Sequence, residues 1–217
     1  MHTTSIVDRQ ARPITVAAFV GVSAALLGIG ACDSATPNDD NTRPAGELNI
    51  LKLAQTAPPL ATDSVGFWAY FDEDTEGEID FAGTGETYLE FRVRKFSLLT
   101  RPNGTLFGPG DSVFISIKVI DPTQLLFDFQ PSGLVFNAGE PAELKLEYNH
   151  AGSSQEGDFD DDGDVDNDDD EIESNLDLWR QENPGEPFER VVTSLLKIEL
   201  DEIEADIFGF TRYALAY

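Results

Sequence analysis

Residues 112–120, SVFISIKVI, decide the fold. Val113, Ile115, Ile117 and Val119 are apolar, and Ser112, Ser116 and Lys118 between them are polar. Successive side chains of a strand point to opposite faces, so a period of two buries one face and leaves the other in solvent. The same alternation recurs on both sides. Upstream lie LNILKLA (48–54), VGFWAYF (65–71) and YLEFRV (88–93). Downstream lie LLFDF (125–129), AELKLEY (142–148), LLKIEL (195–200) and IEADIFGF (203–210). These runs are rich in Val, Ile, Phe and Tyr, which suit a pleated, half-buried surface. Turn formers separate them: PNG at 102–104, GPGD at 108–111, DP at 121–122, PSG at 131–133 and NPGEP at 183–187. Many short strands with turn signals between them predict an all-β fold, an antiparallel β-sandwich spanning 47–217.

One stretch departs from that period. NDDDEIES (167–174) is read as a turn or two of helix, and LDLWRQ (176–181) as a strand hairpinned through NPGEP to FERVV (188–192). The competing reading is one helix over 168–180, since Ile172, Leu176 and Trp179 share a helical face.

The chain of 217 residues carries 14 basic against 41 acidic residues, a formal net charge of -27. Such a surface repels nucleic acid and attracts cations, so no nucleic-acid partner is expected. Arg9 and Arg12 precede an apolar run, ITVAAFVGVSAALLGIGA (14–31), that ends in small residues; this is the pattern of a secretory signal. Cys32, the sole cysteine, follows it, so no intramolecular disulfide can form. The run GIGAC resembles the lipobox of bacterial lipoproteins. That resemblance implies a signal peptide over 1–31, lipidation of Cys32, and attachment to the bacterial cell envelope on its periplasmic or outer face. An uncleaved membrane anchor is the alternative. Residues 32–46, polar and with two prolines, read as a flexible tether.

Two stretches resemble the ZU-five-like sandwich domain of ankyrins and netrin receptors, also found on bacterial surface proteins. They are FQPSGLVFNAGEPAELKLEY (129–148) and the closing FGFTRYALAY (208–217). The resemblance implies a β-sandwich with an interaction or structural role. Some members of that family cut themselves between Phe and Ser of the closing motif, with a histidine just before as base. Here Phe210 and Thr211 keep the Phe–hydroxyl pair, but Gly209 stands at the histidine position. Self-cleavage is not expected.

An acidic run, GDFDDDGDVDNDDDEI (157–172), remains. A calcium loop of the EF-hand type needs oxygen ligands at positions 1, 3, 5, 7, 9 and 12, and glycine at 6. With Gly163 at position 6, those positions are Asp158, Asp160, Asp162, Asp164, Asp166 and Asp169, and Val165 takes the apolar position 8. The segment DFDDDGDVDNDD resembles one calcium loop of a dockerin. It is expected to bind calcium weakly, in the ~0.1–1 mM range of extracellular modules, within an insertion over 151–174. AGSSQEG (151–157) reads as a linker into it, and a disordered acidic insertion is the alternative.

No catalytic constellation is evident, so the protein is not expected to be an enzyme. His150 stands without a nucleophile motif. Trp68 and Trp179, with Phe67, Tyr70 and Phe71, read as core on their alternation, with stacking on sugars as the alternative. The acids of FDEDTEGEID (71–80) read as a solvated turn. The function expected is a lipid-anchored envelope module that binds a protein or glycan partner. A structural lipoprotein with no metal is the alternative, and a carbohydrate-active hydrolase is the least favoured.

Overall fold

The computed structural model describes residues 41–217. Cys32, the signal segment and residues 32–40 of the tether lie outside them. In chain order the strands are β1 (Thr42–Arg43), β2 (Ser64–Tyr70), β3 (Thr75–Asp80), β4 (Thr87–Val93), β5 (Leu98–Thr100), β6 (Ser112–Val119), β7 (Leu126–Gln130), β8 (Val135–Phe136) and β9 (Ala142–Glu147). The helix α1 (Asn167–Ser174) follows, then β10 (Asp177–Gln181), β11 (Phe188–Arg190), β12 (Ser194–Lys197), β13 (Glu202–Ile207) and β14 (Arg212–Ala216). Seven strands form one sheet in the order β1-β11-β10-β14-β7-β6-β2, and five form a second, β12-β13-β9-β4-β3. All pairings in both are antiparallel. A small ladder of β5 and β8 lies apart from them.

The two inner faces meet in one sandwich-like core. Ile115, Ile117, Phe127, Phe129 and Leu215 come from the larger sheet, and Leu89, Phe91, Leu144, Leu146 and Ile203 from the smaller. Aromatic rings join the layers. Phe91 on β4 lies 5.3 Å from Phe129 on β7 and 5.4 Å from Phe210, in edge-on or tilted contacts. Each such pair adds roughly 0.5–1.5 kcal/mol beyond the area it buries. A bulge in β4 supplies another ring. Asp80 pairs with Thr87 and Ile79 with Leu89, which leaves Tyr88 as the extra residue. A bulge re-aims the side chain it carries. Tyr88 turns into the core against Phe81 and Phe127, and its hydroxyl donates to the Gln124 carbonyl at 3.2 Å.

A second, smaller apolar cluster lies on the outer face of the larger sheet. Trp179, Phe188, Ala214 and Ala216 are covered there by Leu48, with Ile50 and Leu126 packed against them. This explains why LNILKLA is not a strand, although its alternation predicts one. It makes single bridges instead, Ile50 to Ala216, Lys52 to Gln124 and Leu53 to Ala151. Leu51 donates to Leu215 O and accepts from Leu125 N, so the segment fills the gap between the ends of β14 and β7.

Three further readings are corrected. LLKIEL is strand only to Lys197; a 3-10 turn at Ile198–Leu200 follows and ends at Asp201 in the left-handed region, φ 50°. TEGEID, read within a solvated turn, is the strand β3, which buries Gly77 and Ile79 and turns Glu76 and Glu78 outward. VGFWAYF is a strand through Tyr70, but of its aromatic residues Phe67 and Phe71 pack on the core, beside Val65 and Ala69, while Trp68 and Tyr70 face solvent. The helix reading of 168–180 also fails. α1 stops at Ser174, and β10 pairs with β14 along five residues and with β11 across the NPGEP turn.

Candidate metal site in the acidic loop

The site begins where β9 ends. The segment read as a linker is a tight turn. Ala151 N donates to Tyr148 O at 2.7 Å, Gly157 N to Ala151 O at 2.9 Å, and Gln55 N reaches Ser153 O at 3.0 Å. Glycine is required inside it: Gly152 has φ +146°, and a Cβ there would lie 2.1 Å from Gln155 O. The turn delivers Ser154 to Asp158. Asp158 has no exposed surface. One of its oxygens, Oδ2, accepts from Ser154 Oγ at 2.5 Å and Ser154 N at 3.2 Å, and Oδ1 accepts from Asp161 N at 3.0 Å.

The next acids repeat a short-range bond to the amide two residues on. Asp160 Oδ1 accepts from Asp162 N, and Asp162 Oδ1 from Asp164 N, each at 3.1 Å. Asp and Asn favour such turns because the side chain mimics a backbone acceptor. The chain coils tightly, with Asp161 at φ 68° and Gly163 at φ 98°. This coiling gathers carboxylates: one oxygen from each of Asp158, Asp160 and Asp162 lies within 4.8 Å of the others.

The exit from the coil is fixed by α1. Asp166 is its N-cap and accepts from Asp168 N at 2.8 Å, and Asp169 returns a bond to Asp166 N at 3.0 Å, completing a capping box. Asp169, 2% exposed, also reaches across the loop, with Oδ1 accepting from Phe159 N at 2.6 Å and Asp160 N at 3.3 Å. The six expected ligand positions therefore fall into three sets. Asp158, Asp160 and Asp162 converge, Asp166 and Asp169 tie the loop to the helix, and Asp164 lies exposed on the rim.

The electrostatics follow from crowding. The hydroxyl of Ser154 beside Asp158 holds its carboxyl below the usual range. Partial desolvation, then the charges of Asp162, Asp169 and Asp158, push Asp160 up. Asp162 and Asp166 do the same to Asp164. A divalent cation would relieve that repulsion. The donor set consists of hard carboxylate oxygens, which fits calcium or magnesium and not a soft-metal site. In a loop of this type position 7 ligates through its backbone carbonyl, so the outward side chain of Asp164 does not spoil the fit.

The loop is tied to the sandwich by groups that sequence reasoning missed. Tyr148 Oη donates to Glu173 Oε1 at 3.0 Å, and Tyr217 Oη donates to Phe159 O at 3.1 Å. Ser154, which bonds Asp158 from within the turn, was missed as well. No local signal marks the two tyrosines, because their partners lie 25 and 58 residues away.

The other candidates are placed as follows. Trp179 is buried in the outer cluster. Trp68 and Phe114 are cross-strand partners on the outer face of β2 and β6, 54% and 49% exposed, with ring centroids 5.6 Å apart. Thr211 is buried and its hydroxyl donates to the Gln181 carbonyl, which cannot take a proton. His150 bonds two carboxylates rather than a nucleophile. Among the described residues no helix is long and apolar enough to cross a membrane.

The fold and loop define an all-β, sandwich-like protein with an aspartate cluster able to hold a metal ion. No family model matches the chain, and neither curated proteins nor solved structures yield a match.

Proposed function

We propose that the protein is a non-catalytic binding module, lipid-anchored through Cys32 to the bacterial cell envelope, in which calcium orders the loop that carries Asp158, Asp160 and Asp162. The observation that carries the calcium reading is the convergence of those three carboxylates within 4.8 Å in a loop whose turn falls at Gly163 and whose exit is a capped helix. Asp164 through its backbone carbonyl, Asp166 and Asp169 would supply the remaining ligand positions of such a loop. Val165 is 54% exposed with no second loop beside it among the described residues, which supports the weak affinity expected of extracellular modules.

The binding role is supported by the exposed pair Trp68 and Phe114, with Tyr70 39% exposed on the same strand as Trp68. Aromatic rings of this kind supply contact area to a protein or glycan partner. The self-cleaving alternative is disfavoured by the commitment of the Thr211 hydroxyl to a carbonyl and by Gly209 at the base position.

Calorimetric titration with calcium tests the site. Wild type gives saturable heat, and Asp158→Ala or Asp162→Ala removes most of it. Asp161→Asn, which keeps a residue tolerant of the left-handed backbone and removes a charge outside the cluster, leaves it nearly unchanged. Equal loss in all three variants would mean diffuse counterion attraction.

A further inference from the structure

We propose that His150 is an acid-engaged clamp that locks two turns of the sandwich together and lets go of one of them as its ring loses a proton. The ring lies just past β9. Its Nδ1 meets Glu156 Oε1 at 2.6 Å and its Nε2 meets Glu86 Oε2 at 2.9 Å. The two carboxylates come from separate elements. Glu86 sits in the hairpin turn between β3 and β4, where Phe81 N donates to Glu86 O at 2.9 Å. Glu156 sits in the turn at 151–157 that delivers Ser154 to Asp158, and it bridges Gly152. The ring stands edge-on to Phe81 at 4.7 Å, and its side chain is only 14% exposed. Glu86 and Glu156 are the charged groups facing it; its remaining ring contact is the uncharged Phe81, from the same hairpin as Glu86.

The switch follows from counting donors. An imidazolium has two N–H donors and satisfies both carboxylates at once. A neutral imidazole has one donor, and its other nitrogen turns a lone pair toward a carboxylate. One arm of the clamp must then open. Burial alone would favour the neutral ring, but the bonds to Glu86 and Glu156 outweigh it and raise the pKa above its ordinary value. Because the folded-state pKa is raised, the clamp contributes in full below the unfolded-state value. That contribution is lost as pH rises through the folded-state value.

The test uses the full chain with calcium removed by a chelator, so it does not depend on the metal reading. In NMR spectra His150 is told from His2, the other histidine of the chain, by through-bond correlation of its ring signals to its own backbone amide in wild type. The expected result is an imidazole that titrates above the free-histidine value, with the amides of Glu86 and Glu156 shifting at the same midpoint. Glu86→Gln lowers that midpoint, because a neutral amide can donate to the unprotonated nitrogen and bonds the neutral ring as well. The melting temperature of wild type falls across the titration relative to Glu86→Gln. An imidazole that titrates at or below the free value, or turn amides that ignore its titration, would overturn the proposal. Both readings come from wild type and stand even if a variant fails to fold.

Discussion

Gly163 shows what one residue decides here. Its φ of 98° is a conformation that side chains rarely adopt, yet open space surrounds the position of a Cβ. Gly163→Val therefore acts through the backbone, whose N–H at this position bonds the Asp158 carboxylate, and removes no ligand side chain. We expect it to abolish calcium heat while the melting temperature of the calcium-free protein changes little, because the loop tip bears no core contact. Gly152 is the opposite case. Any side chain there meets Gln155 O, so Gly152→Ala should lower the melting temperature with or without calcium. Spacing alone revealed Gly163. It could not reveal Gly152, whose constraint comes from the carbonyl of a turn that reads as a linker.

At the scale of the element, α1 depends on its cap. The helix has eight residues, three acidic residues in its first turn and no basic residue in its last. Acids near the N-terminus favour the helix dipole, and a lost cap costs about 1 kcal/mol. Asp166→Ala should remove both cap and charge. Asp166→Asn keeps the side-chain oxygen that accepts from Asp168 N, so circular dichroism should show the helix retained while calcium heat weakens. Most strands were legible because an alternating run states its own buried face. β6, next to the edge of the larger sheet, and the hairpin of β10 and β11 came directly from pattern and turn residues. β3 was hidden because Glu76, Gly77 and Glu78 carry little apolar signal and its burial rests on Gly77 and Ile79. The segment 48–54 deceived for the converse reason: its apolar residues fill two clusters without joining a ladder. Within the loop, spacing named Asp158, Asp160 and Asp162, but Tyr148 and Tyr217 reach it only through the fold.

For the whole molecule, the core and the outer surface should respond separately. Phe91 has no exposed surface and touches the rings of Phe129, Phe136 and Phe210. Phe91→Ala should cost about 3–5 kcal/mol, read as a fall in the denaturant midpoint. Trp68→Ala should change stability by under about 1 kcal/mol, since more than half of the side chain is already in solvent. It should instead weaken binding to the proposed protein or glycan partner. Attachment is tested by Cys32→Ser, which should leave the protein unprocessed or release it from the membrane fraction.

A shaped calcium site in the acidic loop would be coupled to the sandwich through Tyr148, Tyr217 and the 151–157 turn. The most direct measurement is an NMR calcium titration of the isotope-labelled full chain at constant ionic strength. Such a site gives saturable shifts of the Asp160, Asp162 and Gly163 amides with a midpoint in the ~0.1–1 mM range. At tenfold excess over Kd, stabilisation should reach about 1.4 kcal/mol. Loop amides that drift together without saturating, at a rate matched by any added salt, would contradict it.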